Sequence, residues 1–264
     1  MQTERQRSQT RGGERGSVLL DWLREVCAEY EFDVAALYRR RGDHAWPLTA
    51  SDEHDLEWKL DEGGHFLPLP KEPAALANIL EVSIVDYLLE RTEATLDLKV
   101  ARGTERGYPD IEFTGALLDN RFYAVDVKVS RRAASGRRTQ SRITLYTGNT
   151  YFRYPQLQWP GTFRPFQDYA LHLDVLCIYD LSQTAHSRVE NLELIVQEAW
   201  RIGSRQRSST TREYIGAVDK VDALRAGEGD FESEADFYRY WRAFPFRIGR
   251  TVQQQLDRLL NERE

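Results

Sequence analysis

The chain has 264 residues, 41% of them hydrophobic, with 6 Trp, 13 Tyr and 11 Phe, which is enough apolar and aromatic material for a folded core and excludes a disordered polymer. Its net charge of −6, from 36 Lys and Arg against 42 Asp and Glu, argues against a coat protein held on nucleic acid by bulk charge, yet permits a local basic patch beside a local acidic site. Two cysteines, Cys27 and Cys177, are too few for a disulfide framework or a thiolate zinc cluster, and no apolar run reaches the length of a membrane span.

Residues 1–16 read as a flexible basic arm without the apolar stretch of a secretory signal, so the expected location is the cytoplasm. A single domain is expected over residues 17–264. Residues 17–31 have helical spacing in Val18, Leu19, Trp22, Leu23 and Val26, and residues 42–73, rich in Gly, Pro, Asp and Glu, look irregular. Residues 74–91 predict a clearer helix, with Leu76, Ile79, Leu80, Ile84, Val85, Leu88 and Leu89 in register. Glu81 falls on or beside that apolar stripe, and helix spacing alone favours its edge, where the carboxylate reaches solvent. Tyr108 to Phe113, the Asp119-Asn120-Arg121 break and Phe122 to Val129 predict strand, turn and strand. Further on, residues 143–154 suggest a strand and turn. Residues 165–181 suggest a buried helix and then a strand at 175–179, and residues 189–200 form an apolar segment. Residues 203–216 read as a polar loop, 233–244 as a helix capped by Ser233, and 248–264 as a charged terminal helix. The five histidines are scattered without metal-ligand spacing.

The chemistry concentrates on three residues. Side chains alternate along a strand, so in Phe122 to Val129 the residues Tyr123, Val125, Val127 and Val129 share one face, while Asp126 and Lys128 share the other with Ala124. Asp110, just after Pro109 on the preceding strand, adds a second acid. Two carboxylates can grip a hard divalent cation such as Mg²⁺, the Val127 carbonyl can add a ligand, and an ammonium can orient a nucleophile and steady a pentavalent phosphate anion. That set suits phosphodiester hydrolysis. The short motif alone also fits a β-hairpin carrying a surface Asp–Lys pair.

From about residue 70 onward the sequence resembles the EcoRV-like type II restriction endonucleases, within the PD-(D/E)xK nucleases. The similarity runs through the helix bearing Glu81, Tyr108-Pro109-Asp110, Ala124 to Lys128, Ile143-Thr144-Leu145, Pro165 to Tyr169, Trp200, Gly227 to Phe237 and Tyr240-Trp241-Arg242. The resemblance implies an α/β (α+β) fold with a mixed central sheet flanked by helices. It also implies a homodimer that encloses double-stranded DNA and cuts a short palindrome with Mg²⁺, leaving 5′-phosphates. Asp110 and Asp126 become metal ligands, Lys128 the catalytic lysine, Glu81 an accessory acid and Ser130 a contact to the DNA backbone. A minor-groove loop maps to Thr104, Glu105, Arg106 and Gly107, and a major-groove loop to residues 203–212. The second loop carries Arg205, Gln206, Arg207, Ser208, Ser209, Thr210, Thr211 and Arg212, which include groups able to read guanine and adenine edges. The Arg131 to Arg142 run suggests phosphate contacts. The alternatives are a non-catalytic DNA-binding protein with the same fold and a repair or structure-selective nuclease.

Overall fold

The computed structural model describes residues 18–33, 52, 54, 55, 57, 58, 73–95, 97–104, 107–182, 185 and 187–261. The expected arm and most of the irregular 42–73 segment lie outside these residues.

A mixed five-stranded sheet organises the chain. In chain order its strands are β1 (Lys99–Arg102), β2 (Ile111–Thr114), β3 (Tyr123–Arg131), β5 (Leu171–Leu181) and β6 (Val189–Glu198), and they lie side by side in that order. β1, β2 and β3 are antiparallel, β3 and β5 are parallel, and β6 closes the sheet antiparallel to β5. A second, three-stranded sheet holds β4 (Thr144–Thr147), β8 (Tyr214–Ala217) and β7 (Gly203–Arg207) in that order.

The period-2 pattern of β3 divides the molecule. Val125 and Val127 are fully buried on one face, with Leu173, Val175 and Cys177 of β5. Against them pack a helix spanning residues 18–28, α1, and the long helix α2 (Pro73–Glu93). α2 starts on a proline, whose fixed φ suits a first turn. It buries Leu76, Leu80, Ile84 and Leu88, spaced four apart on one stripe. Cys27 and Cys177 are buried free thiols in this core. The opposite face of the sheet covers an aromatic core that includes Tyr146, Phe152, Phe166, Phe237 and Trp241. α3 (Val221–Ala226) and α4 (Glu234–Ala243) pack into this core, and α5 (Arg250–Asn261) buries Leu256 in a small separate cluster with Leu157 and Trp159.

Local signals explain several boundaries. Asp119 and Asn120, at φ 53 and 56, take the left-handed turn before β3, a conformation their short polar side chains tolerate. Ser233 caps α4 by accepting a hydrogen bond from the Asp236 amide at 3.2 Å. Two expectations fail. Residues 165–181 contain no buried α-helix. A single 3-10 turn at Phe166–Asp168 leads into β5, which is already extended at Leu171. Residues 203–216 are not one loop but the β7–β8 hairpin, with only 208–213 as its connection. β1 and α3 went unforeseen because each is short, at 4 and 6 residues.

Candidate active site

The β2–β3 ladder brings the two predicted acids together. β2 begins one residue after Asp110 and pairs Ile111 with Val125. This sets Asp110 beside the middle of β3, where its Oδ2 accepts a hydrogen bond from the Val127 amide at 2.7 Å. The backbone amide of the residue between Asp126 and Lys128 therefore fixes the Asp110 carboxylate. Asp126 is 4% exposed, and its carboxylate forms an ion pair with the Lys128 ammonium one pleat on. The three groups converge on one side of the sheet, as the alternation predicted.

Their electrostatics follow from burial. Burial lifts the Asp126 carboxyl well above the carboxylate range. Lys128 pulls it back, while Asp110 and Asp174 add repulsion. At Lys128 burial acts downward, but the charges of Asp126, Asp110 and Asp174 outweigh it, and the ammonium is held above its ordinary value. Lys128 is thus a firm cation and not a ready base. Glu81, on α2, is shifted upward by burial first and then by Asp110, with Lys128 opposing. It is half-buried and close enough to feel the centre's charges, rather than standing apart in solvent as helix spacing alone favoured.

The sequence reading missed one residue of this centre. Asp174 on β5 is the in-register partner of Asp126 across the parallel β3–β5 pair, so both carboxyls leave the sheet on the same side. Burial raises Asp174 to about 7, with Lys128 lowering it and Asp110 raising it. The signal was an acid in the apolar run Leu171 to Tyr179. Placing the strand only from Val175 hid it, since Asp174 then had no assigned face.

Oxygen donors of this kind suit a hard divalent cation. Neither oxygen of buried Asp174 has a hydrogen-bond partner among the described residues, and Asp126 shares its ammonium with the other acids, so added positive charge fits the site. Among the described residues no three His, Cys, Asp or Glu side chains already form a metal-binding group. Here Asp126 pairs with the Lys128 ammonium instead, and Asp110, Asp174 and Glu81 interact with it through their charges.

The predicted DNA-facing residues are more dispersed. Thr104 is exposed and its carbonyl accepts from the Gly107 amide at 2.9 Å. Glu105 and Arg106 lie outside the described residues. Ser130 sits on the Asp126 side of β3 but is 7% exposed. On the hairpin, Arg205 packs over the rings of Phe231 and Tyr240, at 5.0 and 5.2 Å from their centroids. Arg207 pairs with Glu213 at 3.0 Å, Thr144 and Ser208 share a hydrogen bond at 2.7 Å, and Arg142 donates to Gln206 at 2.9 Å. Ser209 Oγ is 3.3 Å from the Thr211 hydroxyl and receives the Arg212 amide at 3.1 Å. The exposed positions of the segment are Arg205, Gln206, Thr210, Thr211 and Arg212. In the Arg131 to Arg142 run, Arg132 binds Glu193 and the Asn191 carbonyl, and Arg138 pairs with Asp219 at 2.9 Å. Those arginines, with Arg142, brace the fold as well as carrying charge.

A mixed sheet with helices on both sides, and an acid–acid–lysine cluster where two of its strands meet, defines the restriction-endonuclease-like fold. A family model described as restriction endonuclease EcoRV matches residues 43–262. The chain belongs to the EcoRV restriction endonuclease family. No curated protein matches it. Family membership makes it a restriction-endonuclease-like nuclease. Among the described residues no helix is long and apolar enough to cross a membrane.

Proposed function

We propose that the chain is a type II restriction endonuclease that hydrolyses phosphodiester bonds of double-stranded DNA at a short palindrome, with Mg²⁺ as cofactor and 5′-phosphate products. The observation that carries this reading is the convergence of Asp110, Asp126 and Lys128 on one side of the β2–β3 ladder. Asp110, Asp126 and the Val127 carbonyl would hold the cation, with Glu81 as a further acid beside them. Bound Mg²⁺ supplies Lewis acidity toward a phosphate oxygen and a more acidic water. The residues do the rest. The Val127 amide holds Asp110 in place before DNA arrives, so little reorganisation is needed. Lys128, kept protonated by its acidic neighbours, offers positive charge to the phosphate as negative charge builds in the transition state.

A palindrome calls for two copies related by a two-fold axis, each reading one half, so the working unit is a homodimer. On each copy the β7–β8 hairpin offers Gln206 of β7 and Ser209, Thr210, Thr211 and Arg212 of its connection to the major groove. Arg205, Arg207 and Ser208 shape that turn through Phe231, Tyr240, Glu213 and Thr144. Thr104, Glu105 and Arg106 belong to the minor-groove approach, and Ser130 to the backbone side of β3. The cytoplasm, where such an enzyme meets incoming DNA, is the proposed location.

Incubation with mixed plasmid DNA, with and without Mg²⁺, tests the reading. Discrete fragments that require Mg²⁺ and disappear in Asp126→Ala are expected. Binding without cutting would indicate a non-catalytic DNA-binding protein, and cutting only at lesions or junctions would indicate a structure-selective nuclease. Normal cleavage by Asp126→Ala would refute the site itself.

A further inference from the structure

We propose that Asp174 is an additional cation ligand of this active site, a third aspartate reaching the ion from the strand beside Asp126. The inference rests on the nuclease reading and deepens it.

Register supplies the geometry. β3 and β5 run parallel, and Asp126 is paired directly with Asp174. Neighbouring strands lie about 4.8 Å apart, and Mg²⁺ bonds carboxylate oxygen at about 2.0–2.1 Å, so one ion can bridge two in-register carboxylates on the same face. Asp110 approaches Asp126 from the other flank, through β2. Asp126 and Asp174 therefore stand on the adjacent strands β3 and β5, and Asp110 comes from the residue just before β2 on the other flank of Asp126.

Burial supplies the need. Asp174 is 1% exposed, and both of its oxygens lack a hydrogen-bond partner among the described residues. A buried carboxyl kept only for structure is normally given donors. The groups whose charges act on this position are Lys128, Asp110 and Asp126, together with the hydroxyls of Tyr108, Tyr146 and Tyr238. The Tyr108 hydroxyl is engaged with His172 Nδ1 at 2.6 Å, and Lys128 is paired with Asp126. Four carboxyl groups, those of Glu81, Asp110, Asp126 and Asp174, thus share one ammonium. A divalent ion on Asp110, Asp126 and Asp174 corrects that imbalance and gives the orphaned oxygens a partner.

The test is Mn²⁺ binding to the full chain without DNA, followed by the spin-resonance signal of the unbound ion. It compares the wild type, Asp174→Asn, Asp174→Leu and Asp126→Asn. Both Asp174 variants should bind Mn²⁺ at least tenfold more weakly. Their metal-free melting temperatures should equal or exceed the wild type's, because each removes a buried carboxyl whose charged form burial disfavours. If Asp174→Leu does not fold, the near-isosteric Asp174→Asn carries the comparison. Wild-type Mn²⁺ affinity in a folded Asp174 variant overturns the inference. If Asp126→Asn has lost affinity in the same experiment, the nuclease site still stands. If Asp126→Asn also binds as the wild type does, that site falls with it.

Discussion

The Lys128 ammonium stays charged because the charges of three aspartates outweigh the cost of burial. Under the proposed mechanism that charge steadies a developing phosphate anion rather than accepting a proton. Lys128→Gln should lower the cleavage rate at least roughly 100-fold while leaving Mn²⁺ affinity equal or tighter, since the competing ammonium has gone. A variant that loses Mn²⁺ together with activity would instead make the lysine a structural support. His172 gives a prediction of another kind. It is buried against Phe166, with ring centroids 4.0 Å apart, and burial lowers its pKa to about 3, against a hydrogen bond to the Phe166 backbone. Below its ordinary value near 6.5 the unfolded chain takes up a proton that the folded chain refuses. Stability is therefore complete above about pH 6.5 and falls from there toward pH 3, by up to about 1.4 kcal/mol per pH unit from this group. Urea unfolding near pH 7 and near pH 5 should show that slope in the wild type and a shallower one in His172→Gln. An unchanged slope would move the effect to another group. The shared face of Asp126 and Lys128 was legible in the sequence because alternation in β3 is clean and the turn before it is marked by Asp119 and Asn120, while the roles expected of these residues and of Asp110 came with the family resemblance. It did not reveal Asp174, because an acid's role depends on which strand lies beside it, and that pairing is 48 positions distant along the chain in the β3–β5 register.

At the scale of elements, legibility tracks how local the deciding interaction is. The α4 cap is local, since Ser233 and Asp236 sit three residues apart, and it was readable. The β7–β8 hairpin is not. Its strands are polar on the outside, and the sheet forms only because β8 also pairs with β4, about 70 residues earlier. The apolar and aromatic residues that suggested a buried helix early in 165–181 instead fill the aromatic core from a 3-10 turn, where Phe166 contacts Tyr146 and Phe152 at ring separations of 5.2 and 5.4 Å. Another element-level constraint bears on catalysis. The amide of Gly103, just after β1, donates to the Asp110 carbonyl at 2.7 Å, and a Cβ there would lie 2.0 Å from the Pro109 carbonyl oxygen. Gly103→Ala must push the two backbones apart where Asp110 is held. Overpacking of this sort costs about 1–3 kcal/mol. The expected outcome is a folded protein with lower melting temperature whose cleavage rate falls further than its stability explains. Wild-type cleavage by Gly103→Ala would show that the β1 approach does not set the position of Asp110.

For the whole molecule, composition promised a core without saying that the sheet would have one on each face. The aliphatic core lies under α1 and α2, and the aromatic one is shared by the second sheet, α3 and α4. The division leaves the carboxyl cluster on the aromatic side, in a chain that carries −6 overall and is proposed to bind a polyanion. The acids proposed to hold the cation should therefore oppose DNA until the cation is present. A unit charge about 4 Å from a phosphate oxygen costs about 1 kcal/mol even in water-like surroundings. Asp110→Asn should thus tighten DNA binding in EDTA roughly fivefold, and Ca²⁺ should tighten binding by the wild type while doing less for the variant. Fluorescence anisotropy of a labelled duplex at constant ionic strength measures both. If neutralising Asp110 leaves metal-free affinity unchanged, the carboxyl cluster does not face the phosphates, and the proposed docking of DNA onto this side of the sheet is wrong.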